Sequence, residues 1–447
     1  MLSRAENARI THVGPGTFMG DLLREFWLPV LLTQELPAAD DPPLRVRVLG
    51  EDLVAFRDSG GNVGLLSDHC PHRGASMFFG RNEEHGLRCV YHGWKFNIAG
   101  ACVDMPNEPA ESNFKHKIKA VAYQCQERNG VIWAYMGGRF PLPSLPDLEW
   151  SLVSEPQRFI SKTLQDCNWV QAVEGGIDTS HGPFLHHGLV PGQRDPEIPG
   201  IGVAWVDRDR SPRFEVVDTD YGLLIGAQRD YDPNQYSYGI TQFLMPFYTM
   251  LPGGMDERGI LSSHAWVPMD DERTITWTMS WCPRRNMTEA ELMKFNTYPQ
   301  SQTHVGANAL LPPTSAPMGA WRPIPNKSND YFIDREVQRT RSYTGIGVTE
   351  SGRNSRVQDD AIQESMGHIY DRVQEHLGTT DLAIIRARRL WLQAGRALRD
   401  QDTPPPMASA PTVYRVRSAK VLVPRAAPQT WIETSREARK AEVVAVS

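Results

Sequence analysis

The sequence predicts an α+β protein in two parts, a small antiparallel β unit followed by a larger unit in which strands and helices mix. Two observations carry this reading. From Leu44 onward, the short runs Leu44–Val48, Leu53–Phe56, Val63–Leu66 and Val131–Tyr135 alternate with period two and are separated by Gly, Asp and Asn, the pattern of a half-buried antiparallel sheet. Farther along, β-type runs (Leu223–Ala227, Thr241–Leu244, Thr274–Trp281) stand beside two helical segments, Val357–Val373 and Asp381–Leu398, with no strand–helix–strand repeat of the kind that builds a parallel sheet.

Taken in order, residues 1–43 read as an N-terminal helical segment around Met19–Trp27. It is closed by the turn-rich Pro37, Asp40, Asp41, Pro42 and Pro43, and is expected to pack on the larger unit. The β unit is placed at 44–150 and the larger unit at 151–447, with a Pro404–Pro406 break before a strand-like tail. At 447 residues the chain is long enough for two cores.

A formal charge of -6 without any block of like charges gives no attraction for nucleic acid or anionic lipid, so small molecules and proteins are the expected partners. Met1–His12 carries Arg4, Glu6 and Arg9 with no apolar run behind them, and no stretch is long and apolar enough to span a membrane. Six cysteines in a chain of this length argue against an extracellular disulfide framework. The expected location is therefore cytoplasmic, where thiols are free to bind metal.

Cys70-Pro-His72-Arg-Gly74 and Cys89-Val-Tyr-His92-Gly93-Trp94 form the first metal constellation. Each loop offers one thiolate and one imidazole, the ligand set of a Rieske [2Fe-2S] centre, in which two Cys hold one iron and two His the other. A structural zinc site uses the same ligand types but usually pairs Cys with Cys and His with His. His69 and His85 fall outside the pattern and read as solvated loop residues. Cys102 and Cys125 have no partner motif and read as small buried apolar residues.

The second constellation is Glu174-Gly-Gly-Ile-Asp178-Thr-Ser-His181-Gly-Pro-Phe-Leu-His186. If 170–181 is helical, Asp178 and His181 lie one turn apart; Gly182-Pro183 then interrupts the helix and lets His186 join His181. Two imidazoles and a carboxylate make the facial triad of non-heme Fe(II) oxygenases. Should Asp178 have another role, Asp359, Asp360 and Glu364 are later candidates. The first two also suit a first helical turn without any metal, and Glu364 could be a solvated helix charge. His187, beside the pair, reads as a pocket or surface residue.

Together these residues resemble the α subunit of Rieske non-heme iron ring-hydroxylating oxygenases. The resemblance is nearest to the branch of phthalate 4,5-dioxygenase and the aryl-ether O-demethylases. It covers nearly the whole chain and includes Asn82-Glu83-Glu84, Val90–Phe96, Gln358-Asp359, Glu364-Ser-Met-Gly367 and Ile369-Tyr-Asp-Arg372. The resemblance implies a [2Fe-2S] cluster on Cys70, His72, Cys89 and His92, and a mononuclear Fe(II) on His181, His186 and Asp359. It also implies that Asp178 bridges His181 to the cluster ligand His92 of a neighbouring subunit, hence a trimer or stacked trimers. The larger unit would be an antiparallel sheet surrounded by helices, of helix-grip type. A separate flavin and iron–sulfur reductase would supply electrons for O2 activation on an aromatic substrate. Arene dihydroxylation and ether O-demethylation share this machinery, and an electron carrier without oxygenase activity is the reading from another class.

Relatives acting on phthalate tend to carry an Arg in a Tyr-x-Trp-Arg stretch. Here the matching stretch reads Tyr236-Ser-Tyr238-Gly239-Ile240, which offers room and no charge. That shifts the expected substrate from phthalate toward a substituted benzoate or an aryl ether.

Overall fold

The computed structural model describes residues 2–109, 111–189, 209–253, 259–298, 303–349 and 352–442. Two helices, α1 (Arg4–Thr11) and α2 (Phe18–Arg24), open the chain, each capped by a hydroxyl, Ser3 and Thr17, that accepts from the first turn. The segment read as helical through Trp27 then changes character. Trp27–Leu32 is a fully buried strand, β1, whose Pro29 and run of bulky apolar residues suit a strand rather than a helix interior.

Strands β2 (Leu44–Val48), β3 (Glu51–Arg57) and β4 (Val63–Ser67) follow. Short strands β5 (Arg81–Glu83), β6 (Gly86–Arg88), β7 (Lys95–Phe96) and β8 (Cys102–Asp104) make a separate four-stranded sheet, and β9 (Ala122–Arg128) and β10 (Val131–Tyr135) close the unit. The six-stranded sheet runs β1-β10-β9-β4-β3-β2, so β1 from the lead-in forms one edge of it. Helices α1 and α2 pack instead on the long C-terminal helix of the larger unit.

The larger unit is an antiparallel sheet in the order β11 (Arg158–Gln165), β17 (Thr274–Trp281), β16 (Leu261–Pro268), β15 (Tyr248–Met250), β14 (Gln235–Leu244), β13 (Gly222–Asp230), β12 (Arg213–Asp218), with Ala419–Pro424 added to β14. Strands β13, β14, β16 and β17 are buried over almost their whole length, whereas the edge strand β12 is not. Helix α3 (Trp169–Ile177) lies across β15 and β16, and a short α4 (Gly182–Leu185) follows it. The other α-helices among the described residues are α5 (Glu289–Asn296), α6 (Arg335–Thr340), α7 (Ser355–Ser365), α8 (Leu382–Gln401) and a short α9 (Trp431–Thr434). Helix α7 ends at Ser365, before the expected Val373; Met366 caps it and Gly367 follows at a left-handed φ of 90°.

The two units are joined by packing and hydrogen bonds. The Leu49-Gly50 turn between β2 and β3 donates to Pro268 and Met269 at the turn after β16, and Arg47 pairs with Asp270 at 2.8 Å. A single apolar core runs from β1 and β10 through α3 to Trp266, Trp277 and Trp391.

Candidate metal centres and substrate cavity

The two cysteine loops share one backbone design. Cys70 N–H donates to Ala75 and Gly74 N–H donates back to Cys70; Cys89 N–H donates to Trp94 and Gly93 N–H to Cys89, all at 2.9 Å. The returning residue needs a left-handed conformation, with φ of 75° at Gly74 and 79° at Gly93, which glycine adopts without steric cost. Cys70 and Cys89 are buried, and burial pushes the Cys70 thiol up to about 11. His72 stacks on Trp94 at 4.3 Å and meets His92 edge-on at 4.3 Å. The Trp94 indole is fixed by Asn107 at 2.7 Å. His69 and His85 are exposed and Cys102 is buried, as expected of residues outside the constellation.

These loops fit a two-iron cluster better than a single zinc. Among the described residues, no three of Cys70, His72, Cys89 and His92 bring ligand atoms within 4.8 Å of one another, as one tetrahedral ion would require. The two imidazoles meet edge-on, and His72 Nδ1 is buried with no hydrogen-bond partner, the state of a nitrogen meant for a metal.

The second constellation is not one helix. Helix α3 ends at Ile177, Asp178 is extended, and Gly182-Pro183 starts the short α4 rather than breaking a longer helix. The turn between them is tied by Asp178 Oδ1, which accepts from the backbone and hydroxyl of Ser180, both at 2.7 Å. Asp178 Oδ2 faces His181 Nδ1 at 3.2 Å. His181 Nε2 and His186 Nε2 then lie 3.1 Å apart, with Asp359 Oδ1 of α7 at 3.5 and 3.2 Å from them. These three are the group among the described residues whose ligand atoms converge tightly enough for one ion.

Each histidine has its other nitrogen occupied. Asp178 takes Nδ1 of His181, and Gln358 Oε1 lies 2.8 Å from Nδ1 of His186. A ring that donates through Nδ1 presents a bare Nε2 lone pair to a metal. Gln358 is itself fixed, donating to Ile346 at 2.8 Å. Asp359 Oδ1 is buried and accepts no hydrogen bond. Burial would raise the Asp359 carboxyl, but His186, His181 and Arg356 hold it well below the usual range. His181 shows the complementary effect: burial opposes a proton, yet Asp178 and Asp359 raise the ring to about 10. An arrangement that draws in positive charge at a point ringed by two Nε2 and one carboxylate suits a divalent cation.

The neighbouring acids are engaged elsewhere. Asp360 pairs with Arg356 at 2.7 Å. Glu364, which read as a solvated charge, is buried, and accepts from the Tyr331 hydroxyl and from Asp166 N–H. Glu174 binds Arg372 and Arg388, tying α3 to α8. Gly175 and Gly176 are needed by close approach: a Cβ there would lie 2.1 Å from Gln363 and 2.8 Å from Thr249, so the glycine pair lets α3 sit between α7 and the sheet. His187 is half-buried and off the cavity, its proton affinity lowered to about 3 by burial.

A cavity of about 260 Å³ opens beside the triad. Asp178, His181, His186 and Asp359 line it together with Arg229, Gly239, Leu251, Pro252, His264 and Trp266. Its lining is mostly apolar with a few converging polar groups, as small-molecule sites are. Two features escaped the sequence. Gln358 was visible only as a motif neighbour of Asp359, and Arg229 lay past the end of the expected Leu223–Ala227 run with no local signal.

The comparisons with known proteins agree with this geometry. The Rieske [2Fe-2S] domain family matches residues 26–128, which begin at β1, and the family described as LigXa C-terminal domain like matches residues 134–446. The chain is 38% identical to the 3-chlorobenzoate-3,4-dioxygenase oxygenase subunit of Comamonas testosteroni, over 97% of this chain and 98% of that one. It is 34% identical to the phthalate 4,5-dioxygenase oxygenase subunit of Pseudomonas putida, over 88% of this chain and 86% of that one. Among solved structures, the oxygenase in the ferredoxin complex of carbazole 1,9a-dioxygenase aligns with a TM-score of 0.54 at 19% identity, covering 87% of this chain and 94% of that one, a likeness of fold. With the two cysteine loops on one unit and the histidine–carboxylate triad on the other, the chain belongs to the Rieske aromatic-ring dioxygenases as an oxygenase (α) subunit, an oxidoreductase that uses a [2Fe-2S] cluster and a mononuclear iron.

Proposed function

We propose that this subunit oxidises an aromatic acid, a substituted benzoate or a phthalate-like compound, with O2 and with electrons from a separate flavin and iron–sulfur reductase or ferredoxin. The carrying observation is the apolar cavity whose wall includes His181, His186 and Asp359. Those three residues would hold the mononuclear iron, and Cys70, His72, Cys89 and His92 the cluster. When bound, the irons supply one-electron transfer and reductive activation of O2.

The protein's own groups do the rest. Asp178 and Gln358 orient the two imidazoles, and the Asp178 carboxylate stays ionised, because His181 and Ser180 outweigh the effect of burial. Leu251, Pro252 and Trp266 provide an apolar wall against which a ring can lie. The relatives' names, chlorobenzoate and phthalate dioxygenases, point to the same substrate class.

The assembly is proposed to be a trimer or stacked trimers, in the cytoplasm, with His92 of one copy serving Asp178 of the next. Val90 and Tyr91, beside His92, are more than half exposed, and Ile362 and Met366 are exposed at a second hollow that Asp178 and His181 also line. Such apolar surfaces suit contact between copies.

The test is turnover of benzoate, 3-chlorobenzoate and phthalate under 18O2 with a reductase. A diol carrying two labelled oxygens is the expected product. Gly239 favours a second reading: a Cβ there would meet only Pro252, at 3.5 Å, so the cavity has room for an alkoxy group. Aldehyde release from a methoxybenzoate would establish O-demethylation, and no oxidation of any of these compounds would defeat both readings.

A further inference from the structure

The geometry points to Arg229 as the receptor for the substrate's carboxylate, a role that rests on the aromatic-acid reading above. The residue sits near the end of β13, opposite Ser237 of β14, and lines the cavity that the triad also lines. It is only 3% exposed. Buried arginines are ordinarily paired with a carboxylate, and others in this molecule follow that rule: Arg372 and Arg388 bind Glu174, Arg417 binds Glu149, and Arg356 binds Asp360. Among the described residues Arg229 has no carboxylate within 4 Å. Among the described residues its side chain makes one hydrogen bond, to the Thr179 carbonyl at 2.8 Å, and its Nε is buried with no partner.

A guanidinium carries five N–H donors in a planar fork, so one bond to Thr179 leaves most of them unused in a site where leaving them unused is costly. Burial lowers its proton affinity to about 10, and attraction from Asp209 and Asp178 only partly offsets this. At that value it is still cationic at neutral pH. A planar carboxylate fits the fork and would satisfy Nε and an η nitrogen together. The other cations cannot take this part. Arg356 is committed to Asp360 and lies over the Trp266 ring, and His264 is kept neutral by burial and bonded to Thr278.

Position agrees with chemistry. Thr179 lies between Asp178 and His181, so Arg229 is anchored to the turn that carries the metal-binding histidine. Gly239 lines the same cavity from the neighbouring strand and is paired with Ala227, two residues before Arg229. A carboxylate on Arg229 would therefore place its ring over the space that Gly239 leaves, within the cavity walled by the triad. The charge missing at position 239 is supplied from the adjacent strand.

The experiment is calorimetric binding of 3-chlorobenzoate and 3-chlorobenzamide to the metal-loaded protein, wild type, Arg229→Gln and Arg229→Lys, with iron content measured for each. Wild type should prefer the acid to the amide by roughly tenfold or more. Arg229→Gln should lose that preference while its amide affinity stays within about twofold, and Arg229→Lys should fall between. Equal weakening of both ligands, or an unchanged preference for the acid, would overturn the assignment. So would wild-type binding with no preference, a result that stands even if Arg229→Gln does not fold. If wild type binds neither 3-chlorobenzoate, benzoate nor phthalate, the aromatic-acid reading falls together with this one.

Discussion

The two metal constellations are built by opposite means. The four residues of the first fall between 70 and 92, in two loops closed by the same pair of backbone hydrogen bonds. The second draws on the end of α3, on α4 and on α7; His186 and Gln358 are 172 positions apart. Its candidate histidine ligands are aimed by side chains, Asp178 and Gln358, rather than by backbone turns. A site held by local backbone resists side-chain changes around it, whereas one held by distant side chains depends on each of them.

Four predictions sharpen this contrast. The largest effects come from the ligands. Cys89→Ala should abolish the cluster's visible absorption and lower iron from about three to about one per chain, and Asp359→Ala should do the reverse, losing one iron and keeping the spectrum. If Asp359→Ala keeps all its iron, Asp360 or Glu364 is the ligand and the assignment to Asp359 fails.

Next comes Asp178→Asn. It should cut turnover by at least about a hundredfold with both metals retained, as judged by iron analysis and the cluster spectrum, because the carboxylate orients His181 without holding metal. Loss of the cluster spectrum in this variant would contradict its role.

A smaller effect is expected for Gln358→Ala, in which His186 Nδ1 loses its acceptor. Mononuclear iron affinity, measured by titration with a chelator, should fall by roughly ten- to a hundredfold while the cluster is unaffected. An unchanged affinity would show that α4 alone aims His186.

The smallest effects test the backbone-held site. At Gly74 a Cβ would meet nothing within 4 Å, so Gly74→Ala should cost about 1 kcal/mol, the strain of its positive φ. At Gly93 a Cβ would lie 2.6 Å from Pro106, and Gly93→Ala should cost more, read as an earlier loss of cluster absorption on heating. Equal midpoints would mean that Pro106 yields freely.

Legibility followed the same division. The candidate cluster ligands were readable because ligand types, spacing and turn glycines lie within one short segment. His181 and His186 were readable for the same reason, but the path between them was not. A helix through 181 was expected, and the chain instead leaves α3 at Ile177 because Asp178 turns to bind Ser180. Trp27–Leu32 was taken into the helical lead-in, since a short apolar run has no period that separates strand from helix until a partner such as β10 is present. Glu364 looked solvated because its partners, Tyr331 and Asp166, come from other segments.

By itself, then, the sequence determined the α+β class and the two stretches, Cys70–His92 and Asp178–His186, that hold the candidate cluster ligands and the histidine pair, because each depends on residues near one another in the chain. Tertiary structure decided the rest. It set Asp359 apart from Asp360 by which of the two faces the histidines and which faces Arg356. It also brought Arg229 to the cavity wall from a strand with no motif. The physical reason is common to both: burial and charge pairing are properties of packed neighbours, and those neighbours are distant in sequence.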